Sequence, residues 1–203
     1  MTVPSAARHP TPRRACARRW LSATVAACAM LLLTGCAGML PQVERKASHA
    51  LVASGDAPLV EIAREAQLAP EMSGVWPLLQ ASFALDARLA MIESAKVSLD
   101  LQYYLIADDS TGRLILRALR DAALRGVRVR LLLDDLYTND MDHLLLGLAA
   151  TPNVEVRLFN PFVTARESSL RRLLALASDF KRLNHRMHNK LFVADGALAV
   201  IGG

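Results

Sequence analysis

Cysteine is scarce in this chain of 203 residues, and its placement matters more than its number. Two of the three cysteines, Cys16 and Cys28, fall within the first 35 residues and the third is Cys36. Residues 37–203 therefore hold none, which excludes a disulfide-stapled scaffold even in an oxidising compartment. A surplus of positive charge is also missing from most of the chain. Lys and Arg number 24 against 19 Asp and Glu, giving +5 and a pI near 9.5, but the excess equals the five arginines Arg8, Arg13, Arg14, Arg18 and Arg19. Without them the chain is formally neutral, so the high pI is no argument for a nucleic-acid partner. No internal repeat is visible. The apolar run from Leu21 to Leu33 is short for a membrane span.

Those same features make the N-terminus legible. A basic stretch without acidic residues, then an apolar run, then Leu33-Thr34-Gly35-Cys36 has the order of a secretion signal. Residues 1–35 are expected to be that signal, and the last four residues resemble a bacterial lipoprotein box. The resemblance implies cleavage before Cys36 and diacylation of its sulfur. It also implies an envelope lipoprotein facing the periplasm, at the outer membrane because Ala37 and Gly38 carry no acidic retention signal. Residues 36–77 read as a polar, proline-interrupted tether with some helical character.

From Leu78 onward the periodicity becomes regular. Leu85, Leu89 and Ile92 recur at helical spacing up to about Ala95, and Val97, Leu99, Leu101 and Tyr103 then alternate as a strand does. Asp109 is a candidate N-cap for a helix carrying Leu114, Ile115, Ala118, Leu119 and Ala122 on one face, and Gly126 ends it. A strand at Val127 to Leu133, a helix near Asp142 to Ala149 and a strand at Val154 to Phe159 follow. The β-α-β-α-β rhythm predicts an α/β domain over residues 78–203, with a mixed, largely parallel sheet flanked by helices.

The chain ends on its most informative stretch. Leu191–Ala194 and Leu198–Ile201 are apolar runs joined through Asp195-Gly196, a hairpin signal. Strand periodicity puts His188 and Lys190 on one face. An imidazole beside an ammonium suits an anion held between them, with the lysine neutralising it and the histidine attacking it or moving a proton.

The spacing of His188, Lys190, Asp195, Gly202 and Gly203 resembles the H-x-K-x(4)-D-x(6)-G-G signature of the phospholipase D superfamily. Arg182-Leu-Asn-His-Arg-Met-His-Asn-Lys190 and Phe159-Asn160-Pro161-Phe162 are most similar to its bacterial cardiolipin synthase branch. The resemblance implies that His188 attacks a phosphodiester phosphorus to form a phosphohistidine, or protonates the leaving group, while Lys190 holds the non-bridging oxygens. Asp195 either takes part in catalysis or braces the Asp-Gly turn. Arg186, Asn189, Gly202 and Gly203 are candidates for phosphate binding. The family uses two such motifs and this chain has one, so it reads as the front half of a two-motif fold. The second histidine is then expected from a missing C-terminal half or from a dimer partner, and the chain alone is expected to be inactive.

Three further features need placing. Asp134, Asp135, Asp140, Asp142 and His143 have the composition of a metal site, but the chemistry implied needs neither metal nor cofactor, and a solvated strand end accounts for them. The rings of Tyr103 and Tyr104 either line the pocket or belong to the core, and core is the reading preferred. Arg157 to Lys190 is rich in basic residues, with Leu170, Leu173, Leu174 and Leu176 interleaved, as in a helix that docks on an anionic membrane surface or in an ordinary amphipathic helix. The function expected is phosphatidyl transfer or phospholipid hydrolysis. The alternatives are a nuclease-type phosphodiesterase and a non-catalytic, phosphate-binding lipoprotein.

Overall fold

Alternating apolar residues build the centre of the sheet. In β1 (Ser98–Tyr103), Leu99 and Leu101 turn inward, as do Val129, Leu131 and Leu133 in β2 (Arg128–Asp134). A computed structural model of the chain describes residues 47–162 and 180–202, apart from 52, 68, 70 and 139, together with Leu173 and Ala177. The expected signal, Cys36, Leu170, Leu174 and Leu176 of the basic stretch, and Gly203 lie outside the described residues.

The five strands are ordered β3-β2-β1-β4-β5, where β3 is Val154–Phe159, β4 Lys190–Ala194 and β5 Leu198–Ile201. β1, β2 and β3 pair in parallel, as the alternating pattern predicts. The terminal hairpin adds β4 antiparallel to β1 and β5 antiparallel to β4, so only β4 runs against the other four.

Helices cover the apolar face. They are α1 (Pro58–Glu65), α2 (Ala81–Ser94), α3 (Ser110–Leu124) and α4 (Asp142–Ala149), with a short α5 (Phe180–Leu183) ahead of β4. The Asp109 carboxylate accepts from Gly112 N at 2.8 Å, the cap that starts α3. Position 112 tolerates no side chain, because a Cβ there would lie 1.9 Å from the Ala107 carbonyl oxygen. Gly126, at φ +98°, closes the same helix in a conformation that costs other residues more.

The expected tether is in part a piece of the domain. Leu59, on α1, is 2% exposed and belongs to the central apolar cluster, and Ala53 N donates to Asp195 O at 3.1 Å. The pattern hid this because α1 is only 8 residues long and buries a single leucine.

Candidate active site

Register decides where the motif sits. Tyr103 of β1 is opposite Lys190 of β4, and Tyr104 N donates to Asn189 O at 2.9 Å. Because β4 is antiparallel, its start lies at the edge where the parallel strands β1, β2 and β3 end. That edge is where open α/β sheets form their crevices.

The end of β2 anchors the approach to the motif. Asp134 is fully buried, and its carboxylate accepts from Leu136 N at 2.9 Å, Met187 N at 2.8 Å and Arg186 Nη1 at 2.9 Å. Holding Met187 fixes the residue directly before His188. The neighbouring Asp135, also fully buried, accepts from Phe162 N at 2.7 Å and bonds the Thr138 hydroxyl. Both carboxylates are thus engaged by protein donors. Among the described residues no group of three or more His, Cys, Asp or Glu is placed to hold a metal ion.

His188 is exposed and Lys190 partly buried, and Lys190 Nζ stands 3.2 Å from His188 Nε2. An ammonium can only donate, so a hydrogen bond across this contact has Nε2 as its acceptor. The Tyr104 ring meets the imidazole edge-on, with centroids 4.6 Å apart, and meets Tyr137 edge-on at 5.2 Å. Its hydrogen bond with the Tyr137 hydroxyl, together with burial, raises the Tyr104 phenol above the ordinary tyrosine range. Tyr104 is therefore a wall of the site rather than a core residue. Tyr103 packs against the core, as its apolar alternation suggests.

The remaining candidates divide. Asn189 is exposed beside His188 and donates from Nδ2 to Gln102 Oε1 at 2.7 Å. Gly202 N donates to Lys190 O at 2.9 Å, which brings the end of β5 alongside the lysine. Arg186 meets the phosphate-binding expectation with a guanidinium already engaged: besides Asp134, it donates from Nη2 to Asn160 O at 3.0 Å and lies 5.7 Å over the Phe162 ring. A buried aspartate next to it requires a counter-charge, and Arg186 supplies one.

Asp195 goes elsewhere. Fully buried at the far end of β4, its carboxylate accepts from Lys96 N at 2.9 Å, Val97 N at 2.7 Å and Ser98 N at 2.9 Å. Its φ of 55° is the left-handed turn that aspartate tolerates. Of the two roles open to it, the geometry fits the brace, and it does not meet His188.

A family model described as "Cardiolipin synthase, PLD-like domain" matches residues 89–203, more than half of the chain. The chain belongs to the phospholipase D superfamily. Within the superfamily it is 48% identical over 134 residues to cardiolipin synthase C of Escherichia coli K12, covering 66% of this chain and 28% of that one. It is 30% identical over 114 residues to a cardiolipin synthase of Geobacillus kaustophilus, covering 56% of this chain and 20% of the relative. The match thus spans only 20–28% of the length of these curated relatives. Among solved structures, NucT from Helicobacter pylori resembles it at a TM-score of 0.41 with 22% identity, over 59% of this chain and 64% of that one, too loosely to carry weight.

Proposed function

We propose that this phospholipase D superfamily chain supplies one half-site of a phosphatidyltransferase that works through a phosphohistidine on His188. The observation that carries the reading is the Lys190 ammonium 3.2 Å from His188 Nε2 at an exposed sheet edge. When a phosphodiester enters, the ammonium moves its hydrogen bond to a non-bridging oxygen and the Nε2 lone pair becomes free. Nε2 attacks phosphorus, and the bond to the leaving alcohol breaks. The alcohol leaves with the electron pair and takes a proton from the histidine of a second H-x-K motif. An acceptor hydroxyl then attacks phosphorus, the P–N bond breaks, and the acceptor's proton returns to that second histidine.

A phospholipid is the substrate that fits an envelope protein lipidated at Cys36, and an alcohol acceptor gives transfer where water gives hydrolysis. Fewer basic charges than a backbone binder needs argue against nucleic acid. The test is the full-length native protein with labelled phosphatidylglycerol. Labelled cardiolipin or phosphatidic acid is the expected product, and His188→Asn abolishes it. No turnover by the wild-type protein, or turnover that survives His188→Asn, refutes the reading.

A further inference from the structure

Arg88, on α2, lies one residue before the span that the family model matches. Its guanidinium donates in three directions: Nε to the Tyr103 hydroxyl at 2.9 Å, Nη1 to Ala84 O at 2.7 Å and Nη2 to Gly202 O at 2.6 Å. Tyr103 is in β1 and Gly202 follows β5, and these are the two strands that flank β4. Both contacts fall at the level of one residue. Tyr103 is Lys190's partner in the β1–β4 register, and Gly202 N donates to the Lys190 carbonyl at 2.9 Å.

Two-residue periodicity adds the direction. Lys190 shares its face with the buried Phe192, and Tyr103 shares its face with the buried Leu101, so Arg88 works on the helix-covered face from which Lys190 projects. Gly202 has little else to hold it. Its φ is +101° and, chain neighbours aside, no described residue has an atom within 4 Å of where a Cβ would be. A planar fork with donors in several directions can serve all three acceptors together, which the single ammonium of a lysine cannot.

We infer that Arg88 is a positioning residue that clamps Tyr103 and Gly202 on either side of Lys190, and so sets the ammonium against His188 Nε2. The inference rests on the phosphatidyl-transfer reading for its kinetic consequence, but not for its structural one. In the full-length protein, Arg88→Ala is expected to lower kcat by roughly 10- to 100-fold, the scale of a misplaced catalytic group. KM should stay within about twofold, because no substrate contact is removed. Low millimolar guanidinium chloride should restore part of the lost kcat, and Arg88→Lys should fall between Arg88→Ala and wild type.

Amide hydrogen exchange supplies the arm that does not depend on activity. The Gly202 amide should exchange faster in Arg88→Ala, while Val97 and Ser98, held by Asp195 at the opposite end, keep wild-type protection. An unchanged kcat, a loss that guanidinium does not restore, or equal acceleration at both ends overturns the positioning role. If the wild-type protein shows no transfer, the functional reading fails by itself, and the exchange measurement alone then decides whether Arg88 clamps the strand.

Discussion

Replacing Asp195 with asparagine separates a brace from a catalytic carboxylate. Asparagine also accepts the left-handed φ, so the change isolates the hydrogen bonds. Its one oxygen can keep Val97 N and Ser98 N, but the new amide group turns a donor toward Lys96 N. One charge-assisted bond is lost and a donor faces a donor, at a cost of about 2–4 kcal/mol. In a domain of this size 1 kcal/mol moves Tm by about 2–4 °C, so calorimetry should show a drop of roughly 4–16 °C. Catalysis should be nearly spared. Lys190 and Ala194 are the two ends of β4, separated by ~13 Å of strand. Assayed well below the lowered Tm, the full-length variant should keep kcat within about threefold of wild type. An unchanged Tm with a kcat loss of about a hundredfold or more would refute the brace and put Asp195 in the chemistry.

Leu59→Ala should destabilise the domain by about 2–4 kcal/mol, measured by denaturant unfolding, because a nearly fully buried side chain leaves a cavity; a loss under about 0.5 kcal/mol would return α1 to the tether. Asp134→Ala strands the Arg186 guanidinium, 12% exposed, without its counter-charge, and should cost about 3–5 kcal/mol in the same assay. Ultraviolet titration should show Tyr104 ionising above the ordinary tyrosine range, and Tyr137→Phe should bring it back down. A raised phenol value favours the neutral form in the folded state. The stability it contributes is complete below the ordinary value and fades as pH climbs through the folded one, so the effect belongs to alkaline solution.

Much of the fold was legible in the chain because two periodicities are written into it. Alternation marked β1, helical spacing marked α2 and α3, the β-α-β rhythm placed β2 and β3, and Asp195-Gly196 marked the hairpin. Asp109 caps α3 where its position suggested. The short α1 escaped because one buried leucine makes no pattern. Tyr104 was left between pocket and core, with core preferred, for a related reason: alternation states which face a residue is on, but not whether that face opens into a crevice at the strand's end.

By itself the sequence determined the superfamily motif, the order of the strands and of the helices between them, and the nearness of His188 to Lys190, two residues apart where β4 begins. It also left Asp195 with two roles, and it said nothing of Arg88. The hydrogen-bond partners of both were decided by the tertiary structure. Lys96, Val97 and Ser98 are about a hundred residues from Asp195 in sequence, and Gly202 is 114 from Arg88. Such partners meet only because β4 inserts between β1 and β5. Local periodicity carries no information about which distant backbone groups a buried charge will face, and the sheet register does.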